Sequence, residues 1–254
     1  LEFRRVLFRS KALLVLYLNS GALDADRLPN MLGSSIVLGI FRQPRTPQEV
    51  QALSSQLNEL YAGAAYLTPI AGGALADRFF GARPTMLAGG LLMAAGHGCL
   101  TSERLFLVGL LLLVLGNGGF KPNISSQLSQ LYEPPGPTAL RDRGFAIFYT
   151  GINVGALLAP LVCGAAQQAS GYHLGFGVAG IGMLVGLAFY LLGAHWLPPA
   201  EAPRRRPCCA PPDPAEEAWP LQPALSLLAI CLLVHPFWAV YEQTSNTRSE
   251  ALTL

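Results

Sequence analysis

The chain has 254 residues, of which 52% are hydrophobic and only 13% are charged, and its formal net charge is +2. A soluble domain usually carries about a quarter charged residues, so this composition excludes an ordinary water-soluble protein. The mean hydropathy is +0.40. The sequence has no nucleophile–base pair, metal-ligand spacing or phosphate-binding loop, so we predict no enzyme activity, no cofactor and no nucleic-acid partner.

Recurrent apolar runs predict an all-α, polytopic membrane protein with seven crossings, the first of them incomplete. Most runs are close to the roughly 20 residues that a helix needs to cross a bilayer. Before the first run, residues 1–10 (LEFRRVLFRS) resemble a cloning or assembly scar and are left out of the fold prediction. A mostly polar outer connection, with a short helix over 48–58, is predicted between the first two crossings. In chain order the runs are 11–18, 60–76, 85–102, 105–120, 144–166, 174–194 and 221–241.

A Pro-rich, charged stretch at 195–220 is predicted to be an extended, hydrated linker. It separates residues 11–194, the predicted six-helix N-terminal bundle, from residues 221–254, the predicted start of a second bundle. This order is expected where two six-helix halves are joined by a cytosolic loop. Because the end, TRSEALTL, follows the last apolar run by one polar turn, we expect the chain to be a fragment.

The distribution of arginine predicts the orientation of the bundle in the cell membrane. If the crossings alternate, the loops 77–84, 131–143 and 195–220 share one side, and together they hold seven arginines and no lysine. The opposite side has Arg104 in a short loop and three arginines in a long one. Since positive residues mark the cytoplasmic side, these three loops are predicted to be cytosolic.

The segment GGALADRFFGARPT (72–85) lies between the second and third crossings. Its Asp77, Arg78 and Arg83 are predicted to occupy a tight loop whose glycines allow close helix approach. Charge alone is equally consistent with a turn that merely marks the membrane interface. The pattern G-x-L-A-D-R-x-x-G-x-R-x-T, however, is similar to the loop signature of major facilitator transporters. That resemblance implies that the acid and the arginines clamp neighbouring helices at the cytosolic gate.

Lys121 is the only charged residue between Leu105 and Tyr132, so it is predicted to lie well inside the fourth crossing. An ionisable group within the membrane is costly and normally faces a cavity or a partner. Snorkelling of the lysine to the interface is the alternative. Pro122 and the preceding glycines favour a helix break that lines a cavity.

Tyr149 and Asn153, in FYTGINVG (148–155), are four residues apart and therefore project from one face of the fifth helix. Hydrogen bonds between helices that only hold the bundle together would also explain them. The letters F-Y-x-x-I-N-x-G resemble the hallmark of the proton-dependent oligopeptide transporter (POT/PTR) family. The stretch around Lys121 is similar to a second signature of that family, and FWAVYEQ (237–243) to a third. The resemblance covers roughly residues 11–247.

The resemblance implies a symporter that uses the proton gradient to import di- and tripeptides through alternating access, with the proton as coupling ion and the lipid bilayer around it. It implies that Glu242 couples proton movement to transport. The family's E-x-x-E-R-F motif, which precedes the first-helix basic residue, is replaced here by residues 1–10. The residues implied to bind the peptide are Lys11, Tyr61, Lys121, Tyr149, Asn153 and Trp238.

Two other functions are consistent with the same residues. One keeps the fold and changes the cargo to nitrate or another small solute. The other is a membrane binding protein or receptor that does not transport. Proton-dependent accumulation of a solute, as opposed to binding alone, separates transport from the second of these.

Overall fold

The computed structural model describes residues 14, 17–24, 26–41, 43–132 and 138–197. The chain divides into two compact units, Leu1–Arg204 and Arg205–Leu254, and all described residues belong to the first. The described part is built from helices, as the apolar runs predict. The linker beyond residue 197 and the seventh crossing lie outside the described residues, as do the three predicted site residues Lys11, Trp238 and Glu242.

Long α-helices account for the second to sixth predicted crossings. Three helical stretches in the described part are long and apolar enough to cross a membrane, namely Glu103–Leu131, Leu140–Ser170 and Tyr172–Trp196. Short 3₁₀ or π turns connect or extend the helices. The α-helices in the described part are α1 (Ser34–Ile40), α2 (Pro47–Leu75), α3 (Ala82–Cys99), α4 (Phe106–Leu131), α5 (Thr138–Ser170) and α6 (Tyr172–Gly193).

The start of α2 is fixed by a capping box. The Thr46 hydroxyl accepts a hydrogen bond from the Glu49 amide at 3.3 Å, and the Glu49 carboxylate accepts one from the Thr46 amide at 3.3 Å. Pro47 occupies the first turn, where its missing N–H has no cost. Because the helix then runs without interruption, the segment 48–58 is the first part of α2 and not the separate short helix that we predicted.

The bundle is organised around α4, which packs against α3 and α2, while α6 packs against α3 and α5. Glycines permit these close approaches. A Cβ atom added to Gly116 would lie 2.6 Å from the Gly89 carbonyl oxygen, and one added to Gly89 would lie 2.6 Å from the Gly116 oxygen. Gly72 of α2 meets the carbonyl of Gly118 in the same way. Small residues at contact points are the usual means by which membrane helices pack closely.

Two polar contacts also connect α2 to α4. The Asn117 amide donates to the Ala65 carbonyl at 2.7 Å, and the Thr68 hydroxyl donates to the Val114 carbonyl at 3.0 Å. Such bonds contribute on the order of 1 kcal/mol each in membrane proteins. Together with the glycine contacts they fix the part of α2 that faces Lys121.

In contrast to α4, α5 has an open face. It packs on α6 and contacts α4 at only a few positions. None of the most apolar stretch of Leu140–Ser170 is buried within the described structure. The polar residues that the sequence singled out on this helix are therefore not part of the described core.

Candidate functional site

The motif between α2 and α3 is more helical than predicted. Asp77 and Arg78 lie in a π-helical turn, Ala76–Phe80, that continues α2, and Arg83 lies in the first turn of α3. The helical backbone between α2 and α3 is interrupted at Gly81, whose φ of 81° is a left-handed value that favours glycine. The motif thus joins the end of α2 to the start of α3.

Lys121 lies on an exposed position of α4, which is continuous from Phe106 to Leu131 with Pro122 inside it. The predicted helix break at Pro122 is therefore wrong. Membrane helices tolerate proline because neighbouring helices and side chains satisfy the freed backbone groups. Lys121 still faces away from the packed interior of the bundle, as a cavity residue should.

The Lys121 ammonium lies over the ring of Tyr66, with Nζ 5.2 Å from the ring centroid. This cation–π contact orients the charge without neutralising it. Among the ion pairs of the described residues, none involves Lys121. The ammonium is accordingly held in place and remains able to attract a negatively charged group.

Tyr66 contacts a predicted site residue, Lys121, but was not itself predicted from the sequence. We predicted Tyr61 as the binding tyrosine of this helix, but the structure packs Tyr61 against the apolar core cluster. Tyr66 is 70% exposed and lies two turns before Gly73, which faces Pro122. The seven-residue spacing places Tyr66 and Gly73 on one face of α2, but only the structure shows that this face turns toward α4.

Tyr149 and Asn153 occur together on the exposed face of α5. The Asn153 side-chain amide donates a hydrogen bond of 2.9 Å to the Tyr149 carbonyl, within the same helix. The Tyr149 side chain is 57% exposed, and its ring packs beside those of Phe145 and Phe148. No hydrogen bond in the described structure joins Asn153 to another helix or to Lys121. The two groups of site residues, on α2 and α4 and on α5, are therefore not joined by a direct hydrogen bond in the described residues.

Two curated relatives share a large part of this sequence. An uncharacterized transporter of Bacillus subtilis (strain 168), YclF, is 45% identical over 136 residues, which are 52% of this chain and 27% of the relative. A di-/tripeptide transporter of Lactococcus lactis subsp. cremoris is 42% identical over 147 residues, or 56% of this chain and 29% of that protein.

The fold is also similar to that of a solved peptide transporter, described as peptide transporter POT. The superposition has a TM-score of 0.58 with 31% sequence identity, and it covers 94% of this chain and 46% of the solved one. This chain thus spans about half the length of the solved transporter. The matched stretch is less than a third of each curated relative.

Long apolar helices packed through glycines are typical of a multi-pass membrane protein, and their arrangement here is similar to that of the solved peptide transporter. Residues 83–204 match the family model PTR2, described as the POT family. Over these residues, just under half of its length, the chain is similar to the POT family.

Proposed function

We propose that the complete transporter carrying this sequence imports di- and tripeptides together with protons by alternating access. The observation that carries the proposal is the Lys121 ammonium, which is held 5.2 Å above the Tyr66 ring and forms no ion pair within the described residues. The relative in Lactococcus lactis, itself a di-/tripeptide transporter, supports the choice of substrate. In this proposal the protein acts as a carrier rather than an enzyme and uses no cofactor besides the coupling proton.

The chemistry of a short peptide suits these side chains. A peptide is a zwitterion whose side chains vary while its carboxylate, amine and amide groups do not. Lys121 attracts the carboxylate, and Asn153 binds the peptide backbone through its side-chain oxygen and its second amide hydrogen. Tyr149 offers a hydroxyl group to the peptide, and Tyr66 positions the Lys121 ammonium through its ring. By resemblance alone, we assign Lys11, Tyr61 and Trp238 to the same site.

Proton coupling is assigned to Glu242, also by resemblance. A carboxyl group in a helix of low dielectric favours its neutral form unless a cation is near, so Glu242 can alternate between holding a proton and forming an ion pair. Asp77, Arg78 and Arg83 are proposed to clamp the cytosolic gate during this cycle.

Uptake into proteoliposomes tests the proposal. The complete transporter is reconstituted, and accumulation of a labelled dipeptide is measured with an inward proton gradient and after an ionophore has collapsed it. Accumulation that requires the gradient supports the proposal. Gradient-driven accumulation of nitrate without peptide uptake would favour the alternative cargo, and peptide binding without accumulation would favour the binding protein.

A further inference from the structure

A chain of hydrogen bonds runs along the buried face of α4 and ends on α6. The Asn123 side-chain amide donates to the Gly119 carbonyl at 2.7 Å, and the Gln127 amide donates to the Asn123 carbonyl at 3.2 Å. The Gln127 oxygen in turn accepts a short hydrogen bond from the Tyr190 hydroxyl of α6. Asn123 and Gln127 are only 3% and 7% exposed, so the part of the chain on α4 is buried, while Tyr190 is partly buried.

The position of this chain relative to Lys121 follows from helix geometry. Gly119, Asn123 and Gln127 are spaced by four residues and form one stripe of α4. Lys121 is two residues from the nearer members, which places it about half a turn round the helix, on the opposite face. The buried stripe and the exposed lysine are thus the two sides of one short helical segment.

This segment contains the weakest point of the α4 backbone. Pro122 has no N–H, so the carbonyl of Gly118 lacks its usual partner within the helix. A helix is prone to bend or rotate at such a point. The Asn123 bond to the Gly119 carbonyl spans this gap within α4, and the Tyr190 bond to Gln127 connects the same segment to α6.

We propose that Gln127 and Tyr190 are positioning residues for Lys121. The bonds from Gly119 to Gln127 span Lys121 and Pro122, and the Tyr190 hydroxyl ties this segment to α6, which sets the direction in which the Lys121 ammonium points. The consequence for peptide binding rests on the proposed function above, whereas the consequence for the environment of Lys121 does not.

Tyr190→Phe removes the hydroxyl and keeps the ring, so it breaks the chain with little change in packing. In the purified complete transporter, calorimetry with alanyl-alanine should show a Kd raised about fivefold, the usual effect of one lost neutral hydrogen bond. In a Lys121→Gln background the same change should leave the Kd unchanged, because coupled residues are not additive. Gln127→Met should reproduce the effect. Ser129→Ala is the matched control, since it removes a 2.9 Å bond from Arg141 to the same helix on its exposed side.

A second measurement does not depend on the substrate. The rate at which acetic anhydride modifies Lys121 is followed by mass spectrometry of the peptide that contains it, and Tyr190→Phe should change this rate at least twofold while Ser129→Ala does not. An equal loss of affinity with and without Lys121, or no loss at all, would overturn the positioning role. If the parent protein binds no peptide, the proposed function fails and the modification rate decides: a change supports positioning, and an unchanged rate refutes it.

Discussion

Asn153 uses one of its two amide hydrogens within α5, in the 2.9 Å bond to the Tyr149 carbonyl. Its oxygen and second hydrogen stay on the exposed face. Asn153→Leu should therefore weaken uptake of chemically different dipeptides by similar factors, because the lost bonds are to the peptide backbone. Leucine suits a membrane helix, so thermal stability in detergent should be unchanged. Tyr149→Phe should give a weaker form of the same effect.

The opposite result would assign Asn153 to the bundle. A variant with lowered thermal stability and normal peptide affinity in the surviving folded protein would show that the asparagine stabilises helix packing. A binding role for Asn153 thus predicts a change in peptide affinity, and a packing role predicts a change in thermal stability. Both quantities are measured on the same preparation.

The ring of Tyr66 holds the Lys121 ammonium at 5.2 Å, and this contact needs the aromatic face and not the hydroxyl. Tyr66→Leu should raise KM for dipeptides about 3- to 30-fold, corresponding to the roughly 0.5–2 kcal/mol of a cation–π contact. Tyr66→Phe should stay within about twofold of the parent by the same argument. Tyr61→Leu is measured beside it, since Tyr61 is the tyrosine assigned to the site by resemblance; because Tyr61 also packs on the core, this change should in addition lower thermal stability. If Tyr61→Leu raises KM and Tyr66→Leu does not, the predicted tyrosine is the correct one.

Lys121→Ala removes the charge itself. We expect gradient-driven dipeptide uptake by the complete transporter to be abolished, because no other described cation lies beside Tyr66 to attract the carboxylate. Uptake near the parent level would instead show that Lys121 snorkels to the interface and takes no part in binding.

At the level of the helices, the α3–α4 contact depends on glycines that face each other. A Cβ on Gly116 would lie 2.6 Å from the Gly89 carbonyl oxygen and 2.6 Å from the Met93 side chain. Gly116→Ala should therefore destabilise the bundle by about 1–3 kcal/mol, the usual cost of overpacking. Gly182→Ala is the control, since nothing lies within 4 Å of its Cβ position, and alanine should be neutral or stabilising there. Thermal unfolding in detergent measures both, and equal melting temperatures for the two variants would contradict the packing argument.

The helices that could be predicted were those with long uncharged runs. The run 144–166 lies inside α5, and the runs 105–120 and 174–194 match α4 and α6 except for one end residue each, because hydropathy alone identifies a buried or lipid-facing helix. The polar start of α2 was misassigned as a separate helix, since its continuity is set by a local capping box. The break at Pro122 was predicted from composition, but whether a helix tolerates proline depends on tertiary partners.

The site was only partly predictable for a similar reason. Lys121, Tyr149 and Asn153 could be identified from their polarity in apolar runs and from the family resemblance, and the structure finds all three exposed. Tyr66 depends on which face of α2 turns toward α4, and a sequence does not specify that rotation. The same holds for Tyr190, whose partner Gln127 lies 63 residues away. The roles of Lys11, Trp238 and Glu242 stay predictions.

For the whole molecule, the arginine distribution predicts one orientation in the membrane. The loops 77–84, 131–143 and 195–220 should be cytosolic, and the segment before α2 should lie outside. In a complete transporter with its native cysteines replaced by serine, single cysteines at Gln43→Cys and Arg205→Cys test this. Gln43 is exposed in the described structure, so a membrane-impermeant maleimide should label Gln43→Cys in intact cells. Arg205→Cys should react only after permeabilisation, because the reagent cannot reach a cytosolic loop. Labelling of Arg205→Cys from outside, with Gln43→Cys protected, would invert the orientation and place the Asp77–Arg83 motif at the external end of the bundle.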